Sequence, residues 1–127
     1  MKILLDTNAL IWWMEDSPRL GQKARNLLAN PSNTVVATVV SLWEITMKWR
    51  IGKHPLAGSP YGRFVRDEGL ELISVKPEHI EALELLALHH RDPFDHLILA
   101  QAKLENARLM TSDPHMSNYG VECISTS

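Results

Sequence analysis

The hydrophobic pattern of the chain switches repeatedly between strand-like runs and helical spacing. Ile3-Leu4-Leu5 is a continuous apolar run, cut off at once by Asp6, Thr7 and Asn8. Short unbroken apolar runs suit strands buried on both faces of a parallel sheet. Residues 9–15, with Leu10, Ile11, Trp12, Trp13 and Met14, predict a short apolar helix ended by Asp16-Ser17-Pro18. Leu20, Ala24, Leu27 and Leu28 place a second helix over 20–30, stopped by Asn30-Pro31. The β-branched stretch 33–37 predicts the second strand. A helix follows over 38–51, then a Gly/Pro-rich loop and a short helix over 61–68. Residues 70–75 alternate as a third strand. Pro77 opens a helix to about residue 88, with Ile80, Leu83, Leu86 and Ala87 on its apolar side. Asp92-Pro93 starts the longest periodic stretch, to about residue 106. Residues 108–111 form a fourth strand, Asp113-Pro114 begins a short helix stopped by Gly120, and 121–124 form a last strand.

Strands alternating with helices imply right-handed βαβ units. The expected architecture is one domain over 1–127, with three α/β/α layers around a mainly parallel sheet of about five strands. In such sheets ligands collect at the carboxyl ends of strands. Asp6 stands at such an end.

Composition narrows the picture. The chain has 127 residues, 45% of them hydrophobic and 22% charged, with net charge −2, enough for a single core. The absence of a basic excess argues against non-specific coating of nucleic acid, though a substrate held locally through metal ions stays open. Cys123 is the only cysteine, so no internal disulfide is available. No apolar run approaches the roughly 18–20 residues of a membrane span, and Asp6 interrupts the first run, so a cytoplasmic protein is expected.

The carboxylates repeat the position of Asp6. Glu44 follows the second strand, Asp113 the fourth, and Asp92 and Asp95 open the long helix. Gathered carboxylates repel one another unless a cation is present, and three or four oxygen ligands suit Mg2+ or Mn2+. Each acid also has a structural reading. Ser41-Leu42-Trp43-Glu44 fits a capping box, and Asp92 and Asp113 each precede a helix-starting proline. Asp6-Thr7-Asn8 fits a cap or an Asx turn. Pattern alone leaves both readings open.

Residues 2–8, Val40-Ser41-Leu42-Trp43-Glu44-Ile45, Arg91-Asp92-Pro93-Phe94-Asp95 with 97–102, and Met110-Thr111-Ser112-Asp113 resemble the four acidic motifs of the PIN-domain family. The nearest subgroup in pattern is the VapC-like toxin ribonucleases of toxin–antitoxin pairs. The resemblance spans nearly the whole chain, in order. It implies a metal-dependent endoribonuclease in which Asp6, Glu44, Asp95 and Asp113 hold Mg2+ or Mn2+. It implies that Asp6 lies within metal-bridging reach of Asp95 and Asp113, with Glu44 on the far wall. Asp92 would cap the helix and support Asp95, and Thr7, Asn8, Thr111 and Ser112 would orient carboxylates or waters. RNA is the implied substrate; a small VapB-like antitoxin and a second copy of the chain are the implied partners. Two positions depart from the usual pattern: Asn8 stands where many relatives have His, and His96 where Arg is usual.

Lys48 lies one turn beyond Glu44 on the same helical face, in reach of a salt link. Lys48, Arg91 and His96 are candidate RNA contacts. His89, His90 and His96 match no closed zinc pattern and read as a polar loop near the site mouth. Trp12, Trp13, Trp43 and Trp49 are expected to be mostly core, with a share left for an interface. Two rival readings are a phosphoacceptor signalling module and a silent binding domain whose acids are only caps.

Overall fold

The computed structural model describes residues 1–127. Five strands form one sheet: β1 (Lys2–Leu5), β2 (Thr34–Thr38), β3 (Glu71–Ile73), β4 (Arg108–Thr111) and β5 (Cys123–Ser125). Their order is β3-β2-β1-β4-β5, and every pairing is parallel. The expected "mainly parallel" sheet is therefore wholly parallel. The chain builds outward from β1 through β2 to β3, then returns to the other side of β1 with β4. That reversal leaves a crevice at the carboxyl ends of β1 and β4.

The helices are α1 (Thr7–Met14), α2 (Gln22–Ala29), α3 (Val39–Arg50), α4 (Ser59–Asp67), α5 (Pro77–Leu83) and α6 (Pro93–Leu104), with a 3-10 helix over Pro114–Tyr119. Strand alternation divides the core into two layers. Ile3, Leu5, Val35, Ala37 and Met110 face a cluster with Leu10, Leu20, Ile45, Tyr61 and Val65. Leu4, Val36 and Leu109 face the opposite cluster, with Val40, Leu97, Ile98, Leu99 and Met116. These two clusters fill the opposite faces of the sheet, between it and the helix layers of an α/β/α sandwich. No helix is long and apolar enough to cross a membrane.

Two sequence expectations change. The helix from Pro77 ends at Leu83 rather than near 88, and Leu85 is 90% exposed. Its buried face centres on His79, not on Ile80, which is exposed. His79 tolerates burial because Nδ1 accepts from the Lys76 amide at 2.9 Å while Nε2 lies 3.6 Å from Glu105. The aromatic side of α3 is also less buried than expected. Trp43 is 51% exposed, with Met47 and Ile51 exposed on the same side, and Trp49 is exposed further round the helix.

One glycine fixes how the 52–58 loop returns to α3. A Cβ at Gly58 would stand 2.5 Å from both the Leu42 carbonyl oxygen and the Thr46 hydroxyl, which already accepts the Gly58 amide at 2.9 Å. Gly58→Ala is expected to destabilise the fold by about 1–3 kcal/mol through overpacking against backbone. A chemical-denaturation midpoint reads this directly.

Candidate active site

Asp6 ends β1 and begins α1. Its amide donates to the Met110 carbonyl at 3.0 Å, locking it to β4, and its Oδ1 accepts from the Ala9 amide at 2.8 Å. It is thus a helix cap, but capping occupies one oxygen and leaves the second free. The carboxyl is buried, and burial raises its pKa to about 6. The Thr111 hydroxyl and Ala9 amide oppose that rise; the charges of Glu44 and Asp113 add to it.

Glu44 arrives from α3. The capping-box reading of Ser41 and Glu44 does not hold: α3 starts at Val39, and Thr38 caps it by accepting from the Val40 amide at 3.1 Å. Ser41 and Glu44 instead lie a turn apart on a buried stretch of α3. The Thr7 hydroxyl donates to Glu44 Oε1 at 2.6 Å and lies 3.0 Å from the Ser41 hydroxyl. Glu44 Oε2 accepts from Lys48 Nζ at 2.9 Å, the expected salt link. Ser41 looked like a cap in the sequence; its three-residue spacing from Glu44 was the signal of a shared face.

Asp95 stands in the first turn of α6. Asp92 caps that helix, its Oδ1 accepting from the Phe94 amide at 3.0 Å and the Asp95 amide at 3.3 Å. Burial and then the charges of Asp92, Glu44, Asp6 and Asp113 push the Asp95 carboxyl up to about 7. Asp113 follows β4, caps the 3-10 helix through the His115 amide at 2.9 Å, and donates its own amide to Thr111 Oγ1 at 3.1 Å. Asp6, Glu44, Asp95 and Asp113 therefore share one electrostatic neighbourhood in the β1/β4 crevice.

The arrangement is looser than metal-bridging reach requires. No three His, Cys, Asp or Glu side chains already stand close enough to hold a metal ion. The donor chemistry nonetheless fits a hard divalent cation: four carboxylates, two of them, Asp6 and Asp95, with pKa values raised by burial and by neighbouring acids.

The surrounding residues divide. Thr7 and Thr111 are buried against the acids, as expected. Asn8 and Ser112 are exposed and hydrogen-bond none of the four acids, so neither orients a carboxylate here. Arg91 is exposed on the loop before α6, and Lys48 is half-exposed beside Glu44. His96 does not face the acids. Its ring stacks on His90, with centroids 4.8 Å apart and 8° between planes, and it lines a small cavity with Leu83, Leu86 and Pro93. Its helical position turns it toward α5, so a direct phosphate contact from His96 is not supported. A cavity of about 540 Å3 opens beside Asp95 and Asp113 and is walled by His89, His90, His115 and Asn118. The sequence reading passed over the last two, which are exposed polar residues of an ordinary 3-10 turn.

Comparison with known proteins agrees with this fold. No curated protein matches the chain in sequence. Among solved structures, a chain of VapBC2 from Rickettsia felis, bound to a DNA fragment from its promoter, superposes with a TM-score of 0.74 at 20% identity, covering 98% of each chain. A chain of DNA-bound VapBC from Salmonella typhimurium gives 0.72 at 15% identity, covering 100% of this chain and 99% of that one. A toxin–antitoxin complex from Klebsiella pneumoniae gives 0.62 at 19% identity, covering 98% of each. The family model for the PIN domain matches residues 3–122, and the chain belongs to the PIN-domain family.

Proposed function

We propose that this protein is a Mg2+- or Mn2+-dependent endoribonuclease and the toxin of a type II toxin–antitoxin pair, acting in the cytoplasm. The observation that carries the proposal is that Asp6, Glu44, Asp95 and Asp113 lie near enough to feel one another's charges at the crevice where the strand order reverses. When bound, a divalent cation supplies an activated water and polarises a phosphodiester. The protein's own groups prepare the site for it. Thr7 fixes one oxygen of Glu44 and Lys48 balances the other. Asp92 holds the first turn of α6 and so sets the direction from which Asp95 approaches. Arg91 and the half-exposed Lys48 are placed to contact RNA phosphates at the rim.

Partners follow from the family and from the neighbours. Several of the structures it superposes on are VapBC complexes, which supports a small VapB-like antitoxin as the silencing partner. The exposed side of α3, with Trp43 resting edge-on against Phe94 at 4.6 Å and Met47 and Ile51 on the same side, offers an apolar surface to an antitoxin or to a second copy in a homodimer.

The test uses purified protein and short single-stranded RNA. Cleavage with Mg2+ or Mn2+, leaving 5′-phosphate ends and stopped by EDTA, is expected. Intact RNA with both ions present contradicts the proposal.

A further inference from the structure

The cavity beside Asp95 and Asp113 has a composition that the acidic site does not explain. None of its lining side chains is aliphatic; besides the carboxylates of Asp92, Asp95 and Asp113 it offers the imidazole rings of His89, His90 and His115 and the amide of Asn118. Those rings are held in place. Tyr119, itself buried, meets the His89 ring edge-on at 4.9 Å and 72°, and the His90 ring at 5.4 Å and 64°. The Tyr119 hydroxyl accepts the His90 amide at 3.0 Å, and His96 backs His90 as a parallel ring. The wall is therefore set before any ligand arrives, which lowers the ordering cost of binding.

We infer that this cavity receives one unpaired RNA base flanking the scissile phosphate, stacked on the His89–His90 wall and read by Asn118. The inference rests on the ribonuclease reading above. Single-stranded bases are recognised by stacking on aromatic rings, His included, and by hydrogen bonds to their edges. Asn118 is exposed and carries a donor and an acceptor side by side, the pair a base edge requires. The carboxylates in the wall, Asp92, Asp95 and Asp113, disfavour an anionic group, so a neutral base suits the cavity better than a phosphate does. The volume, about 540 Å3, lies within the roughly 300–1,000 Å3 of small-ligand pockets. Because Asp95 and Asp113 line both sites, a base seated here adjoins whatever the acids hold.

The test begins by mapping the cut in an RNA oligonucleotide and replacing the nucleotide on each side of it, in turn, by an abasic residue. One of the two replacements is expected to lower wild-type kcat/KM roughly ten-fold or more. His89→Ala is expected to show the same loss on intact RNA and no further loss on that abasic RNA. His89→Phe, which keeps a ring, is expected to retain most of the rate, and Asn118→Ala to relax base preference at that position. Both abasic RNAs cut as fast as intact RNA would overturn the pocket and leave the nuclease standing. So would a His89→Ala protein that cuts intact RNA normally, or that loses a further factor on abasic RNA. A wild-type protein that cuts no RNA overturns the ribonuclease reading and the base pocket with it.

Discussion

Asp6→Asn is expected to lower RNA cleavage by about a hundred-fold or more while leaving the fold at least as stable as the parent. The two halves of that result come from different oxygens. The amide oxygen of Asn can still accept from Ala9, so the cap on α1 persists. What disappears is a charge that burial and the neighbours Glu44 and Asp113 already disfavour. A residue selected only for capping would show little change in cleavage. Paired single-turnover cleavage and thermal-melting measurements separate the two roles.

The second large effect is the pH dependence of stability without metal. Asp6 is raised to about 6 and Asp95 to about 7, both from an ordinary value of 3.8. Between pH 4 and 7 the folded protein then holds more protons than the unfolded chain, so stability falls as pH rises. The contribution is fully present below about pH 4 and is lost as pH passes through 6 to 7. Asp6 alone accounts for about 3 kcal/mol, and Asp95, which reaches solvent, for a smaller share. Glu105 is held low by Lys2 and acts in the opposite sense, only in the more acidic range. The metal-free melting temperature is expected to fall by roughly 10 °C between pH 5 and pH 8. Millimolar Mn2+ is expected to restore much of it at pH 8 and little at pH 5, because it binds the ionised form. A flat melting profile, unmoved by Mn2+, contradicts this.

The sheet and most helices are readable from local pattern, because the strands are short apolar, β-branched or alternating runs and helices such as α2 and α6 carry apolar residues at helical spacing. Where reading failed, the deciding contact was tertiary. His79 is polar in sequence yet buried, because the Lys76 amide at the start of its own helix satisfies one ring nitrogen and Glu105, at the end of α6, lies 3.6 Å from the other. Trp43 and Trp49 look like core yet lie on the outer side of α3. His96 sits next to Asp95 in sequence, but the helix turns its ring to the other side. The acids show a subtler limit. Asp6, Asp92 and Asp113 are all helix caps in the structure, as their local sequence suggests. Capping and ligation use the same residue types at the same places, so the convergence of four such positions on one crevice is visible only once the chain is folded.

The central claim is that these carboxylates form one cation site. Titration of Mn2+ into the metal-free protein at pH 7.5, followed by the paramagnetic resonance of free Mn2+, tests it most directly. Saturable binding in the wild type, strongly weakened by Asp6→Asn and by Asp95→Asn in proteins that still melt cooperatively, is the predicted result. No saturable binding in the wild type, or equal binding in both variants, would contradict it.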